Sequence, residues 1–247
     1  MLQAAGPLLV ALLLGFVIVD SRRTGESEPD RAATTTVAAT DSQTPSTAAA
    51  SDLSLVDFSA LRPGDTVPEW NTSQGNFRIV SRDGRPALEL SHEPMVEGRL
   101  VWNRIFKSHG LIRSRMQGER TRRSAPRFAL GVAGSTATYW FRAIPSEKAL
   151  QFVAQEQTLQ SVPWTWDEEK PIWLELRVLP APETNGASGD AGSILEGRVW
   201  SEGETRPESP TLVHPIAHDL GFARALVAAA PYALKPVYLD HLEVESP

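Results

Sequence analysis

The chain has 247 residues, a formal net charge of −6 and no cysteine. The lack of cysteine removes disulfide frameworks, thiolate metal sites, cysteine nucleophiles and lipid-bearing cysteines from consideration. Acidic and basic residues are interspersed, which marks neither a nucleic-acid footprint nor a polybasic membrane patch, so no nucleic-acid partner is expected.

Residues 1–19 carry no charged side chain, and 8–19 is almost unbroken Leu, Val, Ala, Ile and Phe. A run of about 19 such residues just spans a bilayer core as a helix. A cleaved secretory signal and a buried helix compete with that reading. The run ends Val19-Asp20-Ser21-Arg22-Arg23 without a small-x-small cleavage site, which favours an uncleaved membrane anchor over 1–23. Residues 24–52 are small, polar and without a packing pattern, and read as a disordered Ser/Thr/Ala-rich linker. A stalk of that kind suits a domain held on the extracytoplasmic side. Arg22 and Arg23 follow the helix, however, and by the positive-inside rule they favour the cytoplasmic side. The expectation is a membrane-anchored protein with its domain extracytoplasmic.

Residues 53–247 read as one domain of short strands. Residues 55–58 form a first strand, followed by a Pro/Gly loop ending in Trp70, which is expected to plug a sandwich edge. Strands over 77–80 and 87–90 are joined by Arg82-Asp83-Gly84-Arg85, whose Asp-Gly pair signals a tight hairpin. Further strands fall over 99–106, 111–117, 127–132, 136–144 and 150–156, with Gly110, Gly118 and Gly134 marking breaks. Residues 162–167 read as a rigid aromatic loop.

The clearest pattern follows. In 172–178, Ile172, Leu174, Leu176 and Val178 alternate with Trp173, Glu175 and Arg177; in 194–200, Leu195, Gly197 and Val199 alternate with Glu196, Arg198 and Trp200. This period of two is that of half-buried strands. The Pro-, Gly- and Asn-containing segment 180–192 joins them as a long hairpin tip. A turn over 201–207, a strand or short helix over 222–228 and an alternating closing strand over 237–244 complete the domain.

Regularly spaced strands with turn punctuation specify an all-β antiparallel sandwich or barrel. The succession 111–116, 128–134, 138–143 and 172–178 resembles concanavalin A-like (laminin-G-like) jelly-roll domains of bacterial surface proteins. The segments 194–204 and 239–244 are similar to modules appended to quinoprotein-type β-propellers. The resemblance implies a jelly-roll sandwich over 53–247, and it raises both carbohydrate binding and glycoside hydrolysis.

Hydrolysis needs two carboxylates about 5 to 9.5 Å apart. No Glu-x-Asp-x-x-Glu-like strand is present; Asp167, Glu168 and Glu169 are consecutive loop acids, and Asp240, Glu243 and Glu245 fall on the closing strand, where a structural role is favoured. His214 and His218 have helical metal-ligand spacing, but Pro215 between them favours a loop with incidental histidines. No nucleophile elbow, phosphate loop or dinucleotide fingerprint occurs. No catalytic residue, metal or cofactor is therefore assigned.

What remains is the polar face of the strands: Arg113, Arg115, Trp140, Arg142, Trp173, Glu175, Arg177, Arg198 and Trp200, with Glu196 beside them. Tryptophan stacks on sugar rings, and Arg and Glu bond hydroxyls or acidic substituents. Cross-strand Arg–Glu pairs on a solvated face, with the tryptophans as a second packing layer, are the competing and favoured explanation of the same residues. The functional expectation is a membrane-tethered carbohydrate-binding sandwich. A glycoside hydrolase-like enzyme of the same fold and a non-catalytic adaptor docking an envelope protein are the alternatives.

Overall fold

A computed structural model of the chain describes residues 52–92, 97–107, 109–182, 192–232 and 234–246. The expected anchor over 1–23, all but the last residue of the expected linker, and most of the 180–192 hairpin tip lie outside them. Among the described residues no helix is long and apolar enough to cross a membrane.

The described strands begin with β1 (Asp52–Leu55), β2 (Trp70–Gln74), β3 (Phe77–Arg82), β4 (Arg85–Leu90), β5 (Gly98–Trp102), β6 (Phe106–Lys107), β7 (Gly110–Gln117) and β8 (Arg127–Ala133). They continue with β9 (Thr138–Ile144), β10 (Ala149–Ala154), β11 (Gln157–Pro163), β12 (Ile172–Pro180), β13 (Ser193–Ser201), β14 (Leu212–Ile216), β15 (Phe222–Ala230) and β16 (Val237–Ser246). A first sheet has the order β14-β13-β12-β7-β16-β4-β3, with β1 also paired to β16; a second has the order β11-β10-β9-β8-β15-β5-β2, with β6 paired to β15. The two sheets enclose one apolar core, to which Leu174 and Leu176 of the first and Phe128, Phe141 and Phe152 of the second contribute.

Alternation explains the first sheet. Ile172, Leu174, Leu176, Val178 and Leu195 are all buried in the core, and the register pairs Trp173 with Trp200, Glu175 with Arg198 and Arg177 with Glu196 on the other face. Gly197 faces inward where the sheets approach closely: a Cβ there would lie 2.5 Å from Cε2 of Phe141. Gly197→Val is therefore expected to cost about 1 to 3 kcal/mol by overpacking, read as a lower urea midpoint with unchanged slope.

Several expectations are corrected. The first strand ends at Leu55, and Phe58–Ala60 is a 3-10 turn capped by Asp57, whose carboxylate accepts the Ser59 N–H at 3.0 Å. The strand expected over 99–106 breaks at Asn103 and Arg104 into β5 and β6. The loop does end at Trp70, whose ring is buried in the core at a sheet edge, but that residue also starts an edge strand, and 157–163 and 212–216 are strands too. These edge strands carry few of the alternating apolar residues that mark an inner one, and Pro215 is tolerated on β14 because that strand lies at the sheet's edge. The ambiguous Ala-rich run is strand β15, since pairing to β8 and β5 on its two sides overrides alanine's helix preference.

Candidate functional site

Seven of the nine expected site residues gather on the outer face of the first sheet. One row across four strands is Arg198, Glu175, Arg113 and Glu243, an alternation of charge; the next is Trp200, Trp173, Arg115 and His241. Arg177 lies in a third row, between Glu196 and Leu111.

This face is largely satisfied by itself. The Glu175 carboxylate is fully buried and accepts from Arg113 Nη2 at 2.8 Å, Arg206 Nε at 2.7 Å and Arg198 Nη1 at 3.3 Å. Arg206 comes from the β13–β14 connection, and Glu208 in the same segment accepts from Arg198 Nη2 at 3.2 Å. Burial pushes the Glu175 carboxyl up, but the Arg206 and Arg113 guanidinium groups outweigh it and hold the carboxyl below its ordinary value. Arg113 also reaches Glu243 at 3.0 Å, and Arg115 is held by Asp240 at 2.7 Å and Glu202 at 3.0 Å. Trp173 stacks on Trp200 at 5.8 Å between centroids, meets His241 edge-on at 4.8 Å and donates Nε1–H to Glu202 at 2.7 Å. Cross-strand pairing is what these residues do.

Trp140 and Arg142 do not join that face. They lie on β9, on the outer side of the second sheet, at the opposite surface of the sandwich. Alternation reports the side of its own strand a residue takes, and strand order decides which sheet that strand enters.

On that second face the register builds three rows. The middle row is apolar: Val153, Trp140, Gly131, Leu226 and Val101. Trp140 is 5% exposed and lies against Gly131, where a Cβ would come within 2.6 Å of its Cε3. One flanking row runs Arg142, Ala129, Ala228 and Arg99, and the other runs Thr138, Ala133 and Arg224. The guanidinium carbons of Arg99 and Arg142 lie 5.0 and 5.9 Å from the Trp140 ring centroid, within cation–π range. A cavity of about 630 Å³ opens over Trp140, bordered by Arg99, Arg224, Thr136, Thr138, Gln155 and Glu156. A neighbouring cavity of about 440 Å³ shares Thr136, Ala137 and Gln155 and adds Tyr139, His214 and His218. His214 is on a strand and packs on Phe152, and burial lowers its basicity, so the helical ligand spacing is not realised.

The turn at the rim is strained. Ala154 pairs with Gln157, leaving Gln155 and Glu156 as a two-residue hairpin loop with φ of 49° and 63°. Asp83 and Gly84 form the same kind of loop, with φ of 51° and 77°. Asp-Gly is favoured there and Gln-Glu is not, at roughly 1 to 3 kcal/mol per strained residue. Sequence reading missed this pair because neither residue is a turn former. Arg99 was legible only as the start of a strand, and Arg224 only as part of a run left open between strand and helix.

No protein-family model and no curated protein matches the sequence. Among solved structures, the chain is similar to a lectin UEA-II complexed with galactose, at 7% identity and a TM-score of 0.52, over 79% of this chain and 98% of that one. It is similar to the apo Crh5 transglycosylase, at 7% identity and a TM-score of 0.51, over 78% and 84%. A xylan beta-1,4-xylosidase from Bacillus halodurans C-125 matches at 18% identity and a TM-score of 0.53, over 78% of this chain but 39% of that one. The sandwich is therefore of the concanavalin A-like, jelly-roll kind.

Proposed function

We propose that this domain binds carbohydrate in the cavity over Trp140, and that residues 1–23 and the 24–52 linker tether it to a membrane on the extracytoplasmic side. The observation that carries the reading is the strained Gln155-Glu156 turn, placed at the rim of a cavity with an apolar floor and hydrogen-bonding walls. Strain of this kind persists where a side chain is needed in a particular place. An apolar floor suits the C–H face of a sugar, while Gln, Thr, Glu and Arg suit its hydroxyls. The galactose-bound lectin of the same fold supports the ligand class. Binding is favoured over hydrolysis because Glu156 is the one carboxylate among the described residues lining the cavity, and glycosidases use a pair.

The test is a turn swap. Gln155→Asn relieves the first strained position and keeps Glu156 on Arg142, and is expected to raise stability by about 1 kcal/mol, while binding to a glycan array falls at least about fivefold. Unchanged glycan binding by the stabilised variant would separate the turn from the ligand. Failure of the parent chain to bind any glycan, with capture of an envelope protein through this face, would put the docking alternative ahead.

A further inference from the structure

Among the described residues the cavity wall carries two cations, Arg99 and Arg224, against one carboxylate, Glu156. Arg142 has a side chain only 8% exposed, and its contact to Glu156 is a loose 3.4 Å to a carboxylate that is itself 81% exposed. Arg99 gives Nη2 to Glu97 at 2.9 Å. The Nε–H groups of Arg99 and Arg142 are both buried without an acceptor among the described residues, a state that costs free energy unless something accepts from them. Arg224 borders the same cavity and makes no ion pair among the described residues. A guanidinium only donates, so walls that hold Arg99 and Arg224, with Arg142 buried beside them, call for a ligand rich in acceptors.

We infer that the ligand of this face is an acidic glycan whose carboxylate or sulfate groups are held by Arg99 and Arg224, with the Arg142 charge behind Arg99 in the same row; the inference rests on the carbohydrate-binding reading above. The register sets the geometry. Arg99 and Arg142 lie in one row and Arg224 in a row four residues away along the strands, so the two sets of cations flank the Trp140 row at about 7 Å on either side. A sugar lying on the apolar row presents ring-borne anions to both sides. The chain as a whole carries −6 and repels an acidic polymer at long range. A local reversal of sign on this face therefore selects where such a polymer docks. A neutral glycan would leave the arginines with hydroxyl acceptors alone, which are weaker partners than anions.

The full chain is titrated with four probes: polygalacturonate, carboxyl-reduced polygalacturonate, dextran sulfate and dextran. Polygalacturonate is expected to bind at least about tenfold more tightly than its carboxyl-reduced form, with affinity falling as salt rises. Binding of dextran sulfate but not polygalacturonate would assign the arginines to sulfate esters, within the same inference. Arg224→Gln opens no core cavity because the side chain is exposed, and it is expected to weaken the acidic probe about tenfold and dextran by clearly less, with thermal unfolding unchanged. Arg99→Gln serves as the second variant, with thermal unfolding measured alongside. Equal affinity for acidic and neutral probes, or acidic binding indifferent to both variants, would overturn the acidic class and leave the carbohydrate reading standing. Binding of none of the four, together with an empty glycan array, would overturn both.

Discussion

Glu175→Ala is expected to remove about 3 to 5 kcal/mol of stability, because it leaves the guanidinium groups of Arg113, Arg198 and Arg206 facing one another around a buried position that no longer holds a carboxylate. Glu175→Gln keeps the shape and loses the charge, and should fall between the parent and the alanine variant. The same network gives the domain an acid limit. Glu175 has its carboxyl held below the ordinary value of 4.5, against the effect of burial, by Arg206 and Arg113; Glu243 has its own lowered by its hydrogen bond to His241 and the charge of Arg113. A carboxylate whose folded pKa lies below its unfolded value contributes stability that is complete above the unfolded value and is lost as pH falls through the folded one. Urea unfolding from pH 7 to pH 3 should accordingly show the stability falling below about pH 4.5, with a shallower fall in Glu175→Gln. A parent and variant with parallel pH profiles, or an alanine variant as stable as the parent, would remove the network from the stability of the fold.

That network also shows where sequence reading stops. That Trp173, Glu175, Arg198 and Trp200 share the polar face of β12 and β13 was legible because the other face is an apolar stripe that a slip of one residue would send to the surface, whereas the pairs themselves were not, since a slip of two keeps the stripe inside. Arg206 was not legible, since it reaches Glu175 from a connection that shows no period. The edge strand Gln157–Pro163 was invisible for a related reason: its residues are mostly exposed or half-exposed, so neither of its faces needed an apolar stripe. Placing Trp140 and Arg142 with the first-sheet arginines failed at strand order, a non-local property that alternation within a strand does not encode. The strained turn failed on chemistry, because Gln and Glu at positive φ are held there by the hairpin around them and not by their own preference.

The two tryptophan faces are expected to separate stability from binding in opposite ways. Trp140→Ala removes the centre of the outer cluster formed with Ala129, Val153, Leu226 and Ala228, and is expected to cost about 3 to 5 kcal/mol. The conservative Trp140→Phe keeps an apolar floor but shortens it, so it carries the binding measurement while Trp140→Ala carries the stability one. Trp200 is half-buried and stacked at an interplanar angle of 2° on Trp173. A Trp173→Ala/Trp200→Ala double-mutant cycle is therefore expected to return a coupling of about 0.5 to 1.5 kcal/mol. If carbohydrate binds over Trp140, Trp200→Ala leaves glycan affinity unchanged, because that ring belongs to the opposite face of the sandwich, and Trp140→Phe lowers it. The reverse outcome, affinity lost in Trp200→Ala and kept in Trp140→Phe with both variants folded, would move the ligand to the first sheet. The arginines there are already committed to Glu175, Glu243 and Asp240. A ligand on that face would have to break those pairs to be bound, so its affinity should rise as pH drops and the carboxylates protonate, whereas binding at Trp140 leaves them untouched.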